Sequence, residues 1–323
     1  MNGMITVAKN SNNIDFINYS YSIGVRDYRF NMDYEKQAYE AIETVRSLNL
    51  EGVKLFADFQ GIKMRLQLEN GVNDLQYSVG DLIFIYTCNE AFPYISNYEI
   101  VKAYVRQGYT ISFSDDKIEG IIRRICENGI WVEFTKVLYV LRQNAGCSIS
   151  GKDMPSPHMT QKVCQTLLKT KAIKDKMVDW VILSFVESAD EIKYFIEEMH
   201  KQNIKVMAKI ETVQGVENIK SIGSIVDGFM IGRGDLKNTT KEEYHLYYSK
   251  ALKSVSMFSS LYNGVGTFFL SSYSQTLELT NDQIADVMNV KKYNFHYIML
   301  SKEVVNSNYP YETIKKLQQL CQD

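Results

Sequence analysis

Short apolar runs alternate along the chain with longer stretches whose apolar residues recur at helical spacing. This alternation is typical of parallel βα units, in which the strands are buried on both faces. The amphipathic stretches include Tyr34–Leu48, Ala189–Gln202 and Asn281–Lys292. The apolar runs predict eight strands, at Ile5–Ala8, Gly24–Phe30, Val53–Phe59, Trp180–Phe185, Val206–Ile210, Gly228–Ile231, Gly264–Phe268 and Tyr297–Leu300. Eight βα repeats favour an α/β fold of the (β/α)8 TIM barrel type over an open sheet, although periodicity alone would also accommodate roughly seven or nine elements.

One segment departs from this rhythm. Between 66 and 143 the runs become short and alternating, as in LIFIYTC and KVLYVLR, and turn sequences separate them. Such runs predict antiparallel hairpins. We therefore divide the chain into a first barrel part (1–65), an inserted all-β domain after the third strand (66–143) and the barrel remainder (144–323). An insertion in a βα loop lies at the catalytic face of such a barrel, where it would act as a lid.

Composition and charge narrow the functional classes. The formal net charge is -2 and no basic stripe is present, which argues against a nucleic-acid partner. No apolar run is long enough to span a membrane, and the N-terminus lacks the features of a signal peptide. The five cysteines are scattered and never spaced as CxxC, which favours reduced thiols over a zinc site. We expect a cytoplasmic protein, and the sequence leaves a homo-oligomer open.

Two motifs carry a family resemblance. Residues 208–215 read AKIETVQG and residues 227–236 read DGFMIGRGDL, which resemble paired barrel motifs of the pyruvate kinase family. YRFNMDYE and LFADFQGIKMRL upstream, and VGTFFLSS downstream, resemble further motifs of that family in the same order. The resemblance covers almost the whole chain and stops where the barrel stops, so it implies a divergent member without the family's C-terminal effector domain.

Two carboxylates stand in these motifs, Glu211 in KIE and Asp235 in RGDL. The resemblance implies that they bind one Mg2+ or Mn2+, and hard oxygen ligands suit such an ion. Lys209 precedes Glu211 by two positions, so both side chains point to the same face of the strand. An ammonium beside the metal would stabilise the charge on a transferring phosphoryl group, so we expect Lys209 to be catalytic.

Further positions complete the expected binding site for an acid. Gly234 and Asp235 are expected to open the helix or turn after their strand, where backbone N–H groups can hold a substrate carboxylate. The resemblance places the hydroxyl of Thr267 near the enolate carbon, where it takes part in proton delivery. Arg29 would bind phosphate through its forked guanidinium group. These roles imply phosphoenolpyruvate or a pyruvate-like acid as the substrate.

The chain departs from the family around the site for a monovalent cation. The corresponding positions here are Asn31, Asp33, Asp58 and Phe59, so the family's threonine ligand is missing. Lys63 stands where most members have glutamate, and its ammonium could supply the charge of K+. We therefore expect that activity does not require K+.

The segments expected to bind the nucleotide differ further from the family's sequence. RQNAGCSIS replaces the family's KGVNLPG segment, leaving Arg142 as the only charged group there, and Arg65 is a second candidate phosphate contact. The family's GPAS loop is AKNSNN, and its SGET is SKEV. Because the metal and acid half is retained while the nucleotide half is changed, the resemblance implies an altered nucleotide or acceptor.

Three functions stay open at this point. The first is a pyruvate kinase-like phosphotransferase, which the motifs favour. The second is a metal-dependent lyase or aldolase that stabilises the enolate of a 2-keto acid, because barrels of this kind support such chemistry. The third is a binding protein without catalysis, which the retained Lys209, Glu211, Asp235 and Thr267 disfavour.

Overall fold

The structure, a computed structural model, describes residues 1–7, 13–59, 61, 64–114, 117–151 and 158–322. The chain divides into two compact units. We call residues 1–61 with 158–323 the barrel unit and residues 62–157 the β unit. Within the described ranges, no helix has the length and apolar character needed to cross a membrane.

Eight parallel strands close the barrel unit, which confirms the barrel predicted from the sequence. The strands are β1 (Asn2–Val7), β2 (Asp27–Asn31), β3 (Lys54–Phe59), β4 (Trp180–Leu183), β5 (Lys205–Ile210), β6 (Gly228–Gly232), β7 (Tyr262–Gly266) and β8 (Tyr297–Leu300). They pair in the order β1-β8-β7-β6-β5-β4-β3-β2, and β2 closes onto β1.

Helices follow the strands and cover their outer faces. They are α1 (Ile14–Ser22), α2 (Glu35–Ser47), α3 (Gln161–Leu167), α4 (Lys171–Lys174), α5 (Ala189–His200), α6 (Val213–Glu217), α7 (Ile219–Gly223), α8 (Arg233–Thr240), α9 (Tyr244–Ser256), α10 (Tyr273–Thr276), α11 (Asn281–Lys292), α12 (Lys302–Val305) and α13 (Pro310–Gln322). Short 3-10 turns lie at Met32–Tyr34 and Lys241–Glu243. The strands are buried on both faces because these helices cover the outside, which explains their continuous apolar runs.

The types of side chain that fill the barrel interior differ from one end of the strands to the other. At the amino ends the rings of Phe56, Trp180, Tyr262 and Tyr297 pack together, with ring centroids 5.3 to 6.3 Å apart in the contacting pairs. A middle layer of methionines belongs to the same buried cluster, which comprises Met4, Met207, Met230 and Met299 with the aromatic residues and Ile182. Side chains alternate between the two faces of a strand, so every second residue points into the barrel. The inward-pointing residues that follow the methionines along the strands lie at the carboxyl ends, where the functional groups of such barrels are found.

The β unit consists of strands with its own apolar core. Its strands are Met64–Gln67, Asp74–Leu75, Leu82–Tyr86, Tyr94–Ser96, Thr110–Phe113, Ile118–Ile125, Gly129–Val137, Leu141–Arg142 and Gly146–Ser150, with a 3-10 turn at Tyr98–Ile100. Most of these pairings are antiparallel, and seven of the strands close into a second barrel. This unit is wider than the 66–143 segment delimited from the sequence. The action of that segment as a lid stays a prediction.

Candidate active site

Charged side chains from four places meet at the carboxyl ends of the barrel strands. Arg29 comes from β2, Asp58 from β3 and Lys209 from β5, while Glu211 follows β5 directly. All four are at least nine-tenths buried, with exposed fractions of 6%, 0%, 6% and 1%. Two cations therefore face two anions in a site from which most water is excluded.

Asp58 lies at the centre of this group. Its Oδ2 accepts a hydrogen bond of 2.8 Å from Nε of Arg29 and lies 2.7 Å from Nη2 of the same guanidinium. The Lys209 ammonium lies 3.3 Å from Asp58 Oδ2. Ser184, the first residue after β4, donates to Asp58 Oδ1 at 3.3 Å. One buried carboxylate thus orients two cations that belong to β2 and β5, which lie on either side of β3 in the strand order.

The charges within the group fix its protonation. Burial acts to raise the pKa of Asp58, but the charges of Lys209 and Arg29 outweigh burial and bring that pKa down to about 2. Burial acts to lower the pKa of Lys209, whereas the carboxylates of Asp58, Glu211 and Asp235 raise it, and the pKa ends above its ordinary value. Asp58 is therefore ionised and Lys209 protonated at neutral pH.

Polar groups and a glycine closely surround the Glu211 carboxylate. Its Oε2 accepts a hydrogen bond of 3.0 Å from the backbone N–H of Phe185, and its Oε1 lies 3.3 Å from Nζ of Lys209. Gly232 at the end of β6 makes room for it, because a Cβ there would lie 2.5 Å from Oε1. Thr239 anchors the backbone by donating to the carbonyl oxygen of Glu211 at 2.6 Å.

The residues predicted to bind the substrate carboxylate lie at the start of α8, and we call this first turn the acid cradle. Gly232 is the N-cap of this helix, so Gly234 and Asp235 occupy its first turn, where backbone N–H groups lack intrahelical acceptors. Gly234 faces Thr267, since a Cβ on the glycine would lie 3.4 Å from Cγ2 of the threonine. Asp235 is half-buried and close enough to Lys209 to raise the pKa of its ammonium.

Sequence reasoning missed two groups at this end of the barrel, Arg233 and Ser184. Arg233 is 5% exposed, and its Nε donates to the carbonyl oxygen of Thr267 at 2.9 Å, with Nη2 donating to the same oxygen. Its Nη1 lies 2.7 Å from both carboxylate oxygens of Asp286 on α11. The arginine of RGDL was visible in the sequence, but nothing in it marked Thr267 and Asp286 as its partners. Ser184 was missed for the same reason.

The other predicted residues lie in several places. Asn31 ends β2, and its Oδ1 accepts a hydrogen bond of 3.0 Å from the backbone N–H of Asp33. Arg65 and Arg142 belong to the β unit. Arg65 donates to the carbonyl oxygen of Asn144 at 3.1 Å, and Arg142 is exposed. Lys63 lies outside the described residues.

The donor set at this end of the barrel fits a divalent cation. The described ranges contain no cluster of three or more His, Cys, Asp or Glu side chains that could enclose a metal by themselves. Mg2+, however, commonly uses one or two carboxylates and takes its remaining oxygens from substrate and water. Glu211 supplies a buried carboxylate with one oxygen not engaged by the Phe185 amide, and Asp235 supplies a second carboxylate that is half-buried.

Known proteins resemble the chain over most of its length. A family model described as the pyruvate kinase barrel domain matches residues 2–314. Pyruvate kinase 2 of Synechocystis is 27% identical over 305 residues, covering 90% of this chain and 51% of its own. The pyruvate kinase of Schizosaccharomyces pombe is 24% identical and covers 96% of this chain and 63% of its own.

The crystal structure of Cryptosporidium parvum pyruvate kinase superposes on this chain with a TM-score of 0.85 at 20% sequence identity. The match covers 99% of this chain and 69% of that one. The chain spans about half the length of the curated relatives it matches. Since the family model matches nearly all of the chain, and the closed barrel carries the motif residues at its strand ends, the chain belongs to the pyruvate kinase family, in the region of its barrel domain.

Proposed function

We propose that the barrel unit is a pyruvate kinase-like phosphotransferase that binds phosphoenolpyruvate, or the enolate of pyruvate, together with Mg2+ or Mn2+. The observation that supports this most strongly is the buried Lys209, whose ammonium lies 3.3 Å from both Asp58 and Glu211 at the strand ends. A buried cation at that position, balanced by carboxylates, suits a substrate whose negative charge moves during the reaction.

Glu211 and Asp235 would hold the divalent cation with oxygens of the substrate. When bound, this ion would supply Lewis-acid stabilisation of negative charge on the acid and its phosphoryl group. The packing of Glu211 against Gly232 and the Phe185 amide leaves its carboxylate little freedom to rotate. Such preorganisation lowers the cost of bringing the ligand oxygens together.

The protein's own cations would bind the phosphoryl group. The pKa of Lys209 is raised, because the surrounding carboxylates outweigh burial, so the side chain keeps its charge at neutral pH. Arg29 uses Nε and Nη2 on Asp58 and Nη1 on Thr6, where the bond is 3.1 Å. Each terminal nitrogen carries a second N–H, which would donate to a phosphate oxygen.

The enolate would lie between the start of α8 and Thr267. Backbone N–H groups in the first turn of α8 would bind the substrate carboxylate, since that end of a helix attracts anions. The Thr267 hydroxyl would take part in proton delivery to the enolate carbon. A Cβ added at Gly234 would lie 3.4 Å from Cγ2 of Thr267, and this closeness of the Thr267 side chain to the cradle supports the arrangement.

We infer further that the acceptor differs from that of a glycolytic pyruvate kinase. The segment RQNAGCSIS, with Arg142, replaces the lysine-bearing segment of the family, and SKEV replaces SGET. Arg65 and Arg142 are the candidate contacts for an acceptor phosphate. We expect slow turnover with ADP and faster turnover with another phosphate acceptor.

Pyruvate formation from phosphoenolpyruvate tests this function. The rate would be measured with Mg2+ or Mn2+ in the absence of acceptor, with ADP and with the other nucleoside diphosphates. Acceptor-dependent pyruvate formation, slow with ADP, is the expected result. Turnover with ADP at the rate of a glycolytic pyruvate kinase would contradict the altered acceptor. An absence of pyruvate formation with every acceptor, while a pyruvate-type keto acid is cleaved or condensed, would favour the lyase.

A further inference from the structure

The backbone that follows β7 is unusual. Thr267, Phe268 and Leu270 have φ angles of 75°, 67° and 53°, in the left-handed region that favours glycine. Such conformations are costly for branched and aromatic residues, and they persist only where surrounding contacts hold them. A group that holds this turn therefore also determines where the Thr267 side chain points.

Arg233 makes the contacts that could hold the turn. Its Nε and Nη2 both donate to the carbonyl oxygen of Thr267, so a planar guanidinium fixes the orientation of this peptide group. The guanidinium carbon lies 3.7 Å from the centre of the Phe269 ring. Three consecutive features of the turn (the Thr267 carbonyl, the strained Phe268 and the Phe269 ring) are thus arranged around one buried side chain.

Asp286 completes the arrangement from outside the turn. Both of its carboxylate oxygens lie 2.7 Å from Nη1 of Arg233, and its side chain is 31% exposed. It lies on α11, which begins with a capping box formed by Thr280 and Gln283 and so has a defined start. Arg233 is itself the first residue of α8. The guanidinium therefore links two helices to the turn.

We propose that Arg233, oriented by Asp286, is a positioning residue that holds the Thr267 side chain beside Gly234 at the acid cradle. This inference rests on the proposed function for its chemical consequence, since Thr267 is placed there in proton delivery. The contacts of Arg233 with the Thr267 carbonyl and with Asp286, which we call the clamp, are a property of the fold. Arg233 touches the backbone of Thr267 and acts on the substrate only through it.

The test uses three variants of the full chain. Arg233→Lys keeps the charge but cannot donate two parallel bonds to the carbonyl. Asp286→Asn removes the partner charge at a position that is partly exposed, so it disturbs folding less. Arg233→Ala removes the guanidinium and opens a space that free guanidinium ion can enter. Arg46→Lys is the matched control, because Arg46 pairs with Asp179 at a distance of 2.9 Å on the exposed surface of the same unit.

Amide hydrogen exchange of peptides covering residues 264–277, followed by mass spectrometry, measures the clamp without reference to activity. We expect faster exchange there in Arg233→Lys and Asp286→Asn, and no change in Arg46→Lys. Unchanged exchange in this segment for both site variants would overturn the clamp. If the wild-type chain formed no pyruvate from phosphoenolpyruvate, the proposed function would fail, while the exchange measurement would still decide whether Arg233 holds the turn.

Kinetics measure the consequence for Thr267. For Arg233→Lys we expect kcat to fall on the order of 100-fold, the scale at which misplaced reacting groups lose rate. KM for phosphoenolpyruvate should stay within about threefold, because the acid and metal contacts remain. Millimolar guanidinium should restore kcat in Arg233→Ala, whereas methylammonium should not. A rise in KM with kcat unchanged, or equal rescue by both cations, would contradict a positioning role.

Discussion

The ammonium of Lys209 lies 3.3 Å from the carboxylate of Asp58, although β4 separates their two strands in the barrel and both side chains are buried. Arg29 approaches the same carboxylate from β2. The family resemblance assigns Asp58 to the expected monovalent-cation site, and in the structure this carboxylate pairs with two protein cations. The charge at the mouth of this barrel is therefore organised by its own side chains.

Replacing Asp58 with Asn should destabilise the fold. The change leaves Arg29 and Lys209 buried without their shared anion, and breaking a buried ion pair in this way costs about 3–5 kcal/mol. Urea unfolding at pH 7 measures the loss of unfolding free energy. Glu43→Gln is the control, because Glu43 pairs with Lys171 where both side chains are more than half exposed, and it should change stability by less than about 1 kcal/mol. A similar small effect at both positions would refute a structural role for the Asp58 carboxylate.

Asp27 predicts a pH effect at the opposite end of the barrel. Burial raises the pKa of this carboxyl, while a hydrogen bond from Tyr262 and the charge of Lys54 lower it by less. The folded state thus holds the proton more tightly than the unfolded state. The associated stability is present below the ordinary pKa near 4 and is lost as pH rises through the raised pKa.

The variant Asp27→Asn carries no titrating group and can still accept from Tyr262. Its stability relative to the wild type should therefore increase as the pH is raised from about 4.5, just above the ordinary pKa, to about 7.5. Denaturant unfolding at both pH values measures the difference. A stability difference that stays constant, or that falls as the pH rises, would show that the carboxyl is not destabilised by burial.

The fold could be predicted from the sequence further than the site could. The apolar runs located every barrel strand, because burial on both faces leaves a continuous local signal. Strand starts were less accurate, and β1 begins at Asn2 where Ile5 was predicted, since Asn2 and Gly3 have weak strand propensity. The helix predicted at Asn281–Lys292 has the same bounds in the structure.

The site depends on contacts that local patterns do not encode. The spacing of Lys209 and Glu211 correctly predicted that both side chains point the same way at the end of β5, as their ion pair shows. The link from Lys209 to Asp58 and that from Arg233 to Asp286 join residues far apart along the chain. Such pairings are set by barrel closure and helix packing. The left-handed turn at Thr267 gave no sequence signal either, because its residues are not glycine.

Potassium dependence tests the departures around the monovalent-cation site. Phe59 is 5% exposed and its side chain has no oxygen, and the family resemblance places Lys63 where its ammonium could replace the ion. We expect pyruvate formation to proceed equally well when K+ is replaced by tetramethylammonium. Lys63→Glu should lose activity, and K+ should restore it poorly, whereas the same change at the exposed Lys193 should have no effect. A rate of pyruvate formation that falls sharply without K+ would contradict the proposal that the Lys63 ammonium replaces the ion.

Binding of a divalent cation in the presence of phosphoenolpyruvate tests the central claim most directly. Mn2+ would be titrated calorimetrically into the wild type, Glu211→Gln, Asp235→Asn and the control Glu217→Gln, whose carboxylate lies in an exposed ion pair with Lys250. We predict one bound Mn2+ in the wild type and the control, with affinity weakened at least about tenfold in each site variant because a charged oxygen ligand is lost. Wild-type affinity in both Glu211→Gln and Asp235→Asn would contradict the account.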